Sequence, residues 1–156
     1  MKIPLSQNLK QTGEMQASSN PPHESATSED TPLLLLSTRI IDECMIAICT
    51  GKSCCQNCIA TIYRPLLSKL EDSHCTGLVI DKRGVQCSRE RKSLDLVAET
   101  ILLYKHRSPL RKLAIVSSVD YNRSEEVLRK ILFDRGLNIR LYNDLDEAVA
   151  WAMSYP

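Results

Sequence analysis

Glycine is scarce in this chain, at five residues in 156, and aromatic residues make up only 4%, with one Trp, one Phe and five Tyr. The first shortage excludes a collagen-like repeat. The second removes the interleaved aromatic surface on which single-stranded nucleic acid stacks, and with no recognition motif present nucleic acid is not an expected partner. Long apolar runs are missing too. The longest early one, Leu33 to Leu36, falls far short of the roughly 20 residues that span a bilayer, so no membrane span is expected. The opening Met1-Lys2-Ile3-Pro4-Leu5 runs into Gln, Ser, Thr and Pro without the apolar core of a secretory signal, which gives an expectation of a cytoplasmic protein. Neither sign of charge prevails, since 20 Lys and Arg stand against 19 Asp and Glu for a net charge of +1.

What remains is ordinary globular composition, 43% apolar and 25% charged, with one excess: seven cysteines, at positions 44, 49, 54, 55, 58, 75 and 87. An odd number in a reducing compartment argues against a disulfide framework. It leaves buried apolar thiols, a metal site or a reactive nucleophile.

Residues 1–31 carry Ser18, Ser19, Asn20, Pro21, Pro22, Ser25, Thr27 and Ser28 and almost no branched apolar side chains. Such a stretch cannot bury enough surface to offset its ordering entropy, so it reads as a disordered tail ahead of one folded domain, residues 32–156. In that domain Leu34 to Ile41 and Cys44 to Thr50 are apolar, β-branched runs joined by Asp42-Glu43, which predicts a hairpin of two buried strands. Cys55, Cys58, Ile59, Ile62, Tyr63, Leu66 and Leu70 fall on one face of a helix that Pro65 must kink or restart. Thr76 to Asp81 is a compact strand followed by a loop, and Leu94, Val97, Ala98, Ile101 and Tyr104 mark the next helix.

Leu113 to Ser117 is another buried strand. Ser124 is placed to cap a helix whose first turn holds Glu125 and Glu126 and which stops at Gly136. Asn138 to Tyr142 alternates as an edge strand does, and Asp144 with Glu147 has the spacing of a helix cap. The order ββαβαβαβα predicts an α/β fold: a mixed, mostly parallel five-stranded sheet with four helices and one antiparallel edge.

The strand Leu113 to Val116, the helix ending at Gly136, the strand Ile139 to Tyr142, and then Asp144, Glu147, Ala148 and Trp151 resemble the closing half of the STAS fold, as found in small stand-alone proteins of the anti-sigma-factor-antagonist kind. Gly77 to Val85 (GLVIDKRGV) is similar to the strand that leads into that family's regulatory loop. The resemblance covers about residues 34–156. It implies a non-catalytic module that needs no cofactor and binds a partner protein, or in some members a small apolar or anionic ligand. Phosphorylatable members carry a serine at the start of the helix after the Asp81 strand, which turns attention to Ser88 and Ser93, although neither follows an aspartate.

Cys49-Thr-Gly-Lys-Ser-Cys54-Cys55-Gln-Asn-Cys58 admits three readings. Cys54 or Cys55 with Cys58 has zinc-knuckle spacing, but no second such pair completes a site, and only His74, Cys75 and Cys87 remain to supply ligands. Cys49, at a strand end before a Gly-containing loop and a helix, resembles the phosphate-binding cysteine loops of phosphotransfer and phosphatase proteins. The phosphatase form fails because position 55 is Cys where an Arg is required, and a Walker loop fails because position 46 is Ile. The third reading makes Cys44 and Cys49 strand core and Cys55 and Cys58 helical core, leaving Cys54 as the exposed thiol.

Charge is unevenly spread. Residues 82–112 hold nine Lys or Arg against three acids, and Lys82, Arg83, Arg89, Arg91 and Lys92 cluster after the Asp81 strand, where they form a candidate basic rim for an acidic or phosphorylated partner. Trp151 and Phe133 are expected as core anchors.

Overall fold

The computed structural model describes residues 34–54, 59–88, 91–118 and 122–155, all within the second of the two units into which the chain divides, Met1–Pro32 and Leu33–Pro156. The expected disordered tail, Cys55 and Cys58 lie outside the described residues. So do the side chains at 53, 54, 87, 88, 91–93 and 122.

Two strands open the fold, β1 (Leu35–Ile41) and β2 (Cys44–Cys54), antiparallel and joined by the two-residue turn Asp42-Glu43. Asp42 takes φ +54 there, a left-handed conformation that Asp tolerates because its short side chain bonds locally. A π-helical turn, Ile59–Tyr63, runs directly into α1 (Arg64–Ser73). Pro65 sits in the first turn of α1, so the restart predicted at Pro65 is what occurs: its missing N–H falls where no intrahelical bond is needed. Then come β3 (Gly77–Ser88), α2 (Arg91–Lys105), β4 (Lys112–Val116), α3 (Asn122–Asp134), β5 (Asn138–Tyr142) and α4 (Leu145–Met153).

The sheet order is β1-β2-β3-β4-β5, antiparallel only between β1 and β2, as the alternation of strands and helices predicts. Its faces are covered unequally. Ile62, Leu66 and Leu70, Val97 and Ile101, and Leu128 and Leu132 bring α1, α2 and α3 onto one face, against Ala47, Leu78, Ile80, Leu113 and Ile115. On the other face α4 is the one helix among the described residues to pack, through Ala148 and Ala152, on Cys44, Ile46, Val79, Ala114 and Val116.

Two helix ends follow their sequence signals closely. Gly136 (φ +92) ends α3 in a left-handed cap, with Gly136 N–H bonded to Phe133 O at 3.0 Å and Leu137 N–H to Leu132 O at 3.0 Å. Asp144 caps α4 by accepting from Glu147 N–H at 3.0 Å. At the other end of α4 the Lys112 ammonium donates to Trp151 O (3.1 Å) and Ser154 O (2.6 Å), placing a cation at the negative pole of the helix.

Several expectations need correction. β1 is mostly exposed, with Leu35 at 66% and Ile40 at 51%, because it is an edge strand beyond the reach of α4, and only Leu34 and Leu36 lean on the core. Ser124 lies inside α3, which begins at Asn122, so it is not the cap. Phe133 is 57% exposed on the outside of α3 and anchors nothing. β3 does not stop at Asp81. It continues to Ser88 alongside an equally prolonged β2, so the predicted loop is a two-stranded ribbon.

Candidate functional site

The ribbon begins at a bulge. Ile48 pairs with Asp81, but the next pair is Thr50 with Gly84, so β3 carries one more residue than β2 over this stretch. The two residues in the bulge have opposite fates. Lys82 is buried, 5% exposed, and its ammonium donates to the Tyr63 hydroxyl at 3.2 Å and to Glu125 Oε1 at 3.2 Å, while lying 5.5 Å from the Tyr63 ring centre. Arg83 turns outward and closes a fork on Asp81, Nε to Oδ1 at 2.9 Å and Nη2 to Oδ2 at 2.8 Å, with Arg83 N–H adding a third bond to Oδ1 at 3.0 Å. The Asp81 bond raises the Arg83 pKa above its ordinary value. Slight burial opposes this, and the charges of Asp81, Asp144 and Asp146 add to the rise.

The site therefore sits at the carboxyl end of the central strand, the edge at which open α/β sheets present their binding groups. The predicted basic rim is only partly a rim: Lys82 faces the core, and Arg83 faces solvent already paired with Asp81. Arg91, Lys92 and Ser93 occupy the first turn of α2, and Ser88 is the last residue of β3. Arg89 lies outside the described residues. Tyr63 and Glu125 read in sequence only as a helical core position and a helix-start acid, not as partners of Lys82. Glu125 carries the signature of a helix-start acid, yet it is fully buried, and nothing local reveals that a strand lysine 43 residues earlier reaches it.

The cysteine readings separate on geometry. Cys49 is 0% exposed and lies within β2, opposite Leu36 of β1, and the strand runs on through Thr50 to Cys54. The loop that a phosphate-binding cysteine needs is here extended strand, so the strand-loop-helix arrangement expected around Cys49 is not formed. Among the described residues no group of three or more His, Cys, Asp or Glu side chains could hold a metal ion. Cys44, Cys49 and Cys75 are buried thiols outside any disulfide. Burial first, and the nearby Cys75 second, push the Cys44 pKa up to about 11.

That shift makes a measurable claim. Iodoacetamide at pH 8 is expected to label Cys44 at least about a hundredfold more slowly in the native chain than in urea, since both thiolate fraction and access are reduced. Peptide mapping that found Cys44 labelled promptly would contradict its placement. Open clefts lie elsewhere, one of about 590 Å³ between α3 and β5 and one of about 450 Å³ beside Asp42, Arg111 and Tyr155. Among the described residues no helix is long and apolar enough to cross a membrane.

No protein-family model and no curated protein matches the sequence. Solved structures do match the fold. The crystal structure of an anti-sigma factor antagonist from Mycobacterium paratuberculosis aligns over 78% of this chain and 96% of its own, with a TM-score of 0.54 at 17% identity. An uncharacterized protein from Shewanella loihica with a SpoIIAA-like fold aligns over 78% of this chain and 94% of its own, with a TM-score of 0.49 at 15% identity. The chain shares the fold of that anti-sigma factor antagonist structure, as the resemblance of its C-terminal half leads one to expect.

Proposed function

We propose that the chain is a non-catalytic regulatory module that recognises a partner protein through the end of β3, from Asp81 onward, and the first turn of α2. The observation that carries this reading is the bulge: it sends Lys82 inward to fasten the strand to α3 and leaves Arg83, braced by Asp81, on the outer surface. A rigid charged strand end beside a helix start is suited to recognition rather than to turnover. The shared fold with a protein described as an anti-sigma factor antagonist supports a regulatory role of this kind.

The basic residues Arg83, Arg89, Arg91 and Lys92 favour an acidic or phosphorylated partner, met in the cytoplasm. Ser88 and Ser93 flank the junction between β3 and α2. A phosphate on Ser93 would meet the open amides of the helix start, while adding about −2 of charge to the docking surface. The alternative that uses Cys49 for phosphotransfer or redox chemistry gains no support from a thiol buried in mid-strand.

The test is an affinity capture quantified by mass spectrometry with the wild type, Cys49→Ala and the charge reversal Arg83→Glu/Arg91→Glu/Lys92→Glu. The expected result is one partner retained by the first two and depleted at least about tenfold by the third, equivalent to about 1.4 kcal/mol. Retention by the charge reversal together with loss in Cys49→Ala would reject the reading.

A further inference from the structure

β5 is the last strand of the sheet, and its outer edge faces a groove. Ser117 N–H donates to Tyr142 O at 3.0 Å, so the Tyr142 backbone is turned toward β4. By the alternation of a parallel ladder, the N–H and C=O groups of Ile139 and Leu141 are turned the other way, toward the open side. The facing wall is one stripe of α3, Arg123, Val127 and Lys130, spaced four and three residues apart as a single helix face requires. Between them lies the cleft of about 590 Å³. A second lobe of about 420 Å³ prolongs it past Phe133 and Arg140 and shares Glu126, Leu141 and Tyr142 with the first.

The charge of this groove is one-sided. Its acid, Glu126, is held by Arg129, whose Nε and Nη2 reach Oε1 at 2.8 and 2.5 Å, and that bond lowers the Glu126 pKa. Arg123, Lys130 and Arg140 are exposed, and among the described residues no carboxylate pairs with them. Half-buried Val127 and Leu141 and exposed Phe133 supply apolar contact along the same line.

We propose that this groove docks an acidic, extended segment of a partner protein, added to β5 as a sixth strand. Backbone groups of Ile139 and Leu141 pair with the segment. Its side chains on one face then meet Val127, Leu141 and the cations of α3, and those on the other face meet Arg140, whose guanidinium lies 5.2 Å from the Trp151 ring of α4. The five residues of β5 limit the added strand to a comparable length. The groove is separate from the end of β3 and the start of α2, so the inference does not depend on the function proposed above.

A fluorescein-labelled nine-residue peptide alternating glutamate and valine, titrated into the full chain and followed by anisotropy, tests this. Its controls are a lysine–valine counterpart and two copies N-methylated at the odd or the even backbone nitrogens. The expected result is saturable binding of the glutamate peptide, no binding of the lysine peptide, and at least tenfold weakening by one of the two methylated copies and by Arg123→Glu/Lys130→Glu. Absence of saturable binding, binding equal for both methylated copies and the parent, or indifference to the charge reversal would overturn the proposal. So would sedimentation showing self-association that Lys130→Glu abolishes, since the edge would then be occupied by a second copy of the chain.

Discussion

Replacing Glu125 by Leu while Lys82 stays in place is expected to cost about 3–5 kcal/mol of folding stability, and replacing both, as Lys82→Met with Glu125→Leu, to restore most of the loss. Lys82 is 5% exposed and Glu125 is fully buried, so neither charge has enough water around it to lose its partner cheaply. The Tyr63 hydroxyl, at 3.2 Å, is a dipole and cannot replace a carboxylate. In the double variant both charges of the pair are removed together, and the Met stem can lie where the lysine methylenes lie. Urea unfolding reads both effects as midpoint shifts at constant slope. A single-variant loss under about 1 kcal/mol would mean that the pair is screened as a surface pair is. The same series separates folding from recognition: if the pair serves to hold the bulge, the double variant should fold well and still present Arg83 less firmly to a partner.

The second large effect is expected at Gly77. A Cβ there would stand 2.9 Å from Ala152 O and 3.5 Å from Ala152 Cβ, so α4 rests on bare backbone at the start of β3. The obstacle is a main-chain oxygen, and trimming Ala152 would not relieve it. Gly77 N–H is meanwhile tied to Glu43 O at 3.1 Å, which keeps the strand from retreating. Gly77→Ala should therefore lift α4 and cost about 1–3 kcal/mol, the usual range for overpacking. Trp151, the one tryptophan in the chain, lies on α4 with its ring centre 6.1 Å from that of Tyr142, and gives a direct optical report. The expected sign is a red-shifted emission together with a lower urea midpoint. Unchanged emission and midpoint would show that α4 yields without strain.

Much of the fold is legible in the sequence because its signals are local. The strand Leu113 to Val116 is a short apolar run, α3 has its stop at Gly136, and Asp144 with Glu147 marks the start of α4; each of these depends on neighbours a few residues away. The ribbon is not legible, because residues 50–54 and 82–88 are polar in composition and become strands only by pairing with each other across the bulge. β1 misleads for the opposite reason: an apolar β-branched run reads as buried, while burial depends on whether a helix lies over that edge of the sheet. The candidate site is least legible of all. The five basic residues after Asp81 look alike in one dimension, and only the extra residue in β3 sends Lys82 inward and Arg83 out.

The sequential strand order has a consequence for how the chain is made. Each strand joins the edge left by its predecessor, so as the polypeptide emerges from the ribosome every completed strand and helix can dock on what is already built, without waiting for a distant partner. The exception is the face carrying Cys44, Ile46, Val79, Ala114 and Val116, whose cover is residues 145–153, made after all five strands. Until that helix arrives the nascent domain exposes an apolar sheet face. This is the interval in which chaperone binding or aggregation would compete with completion of the fold.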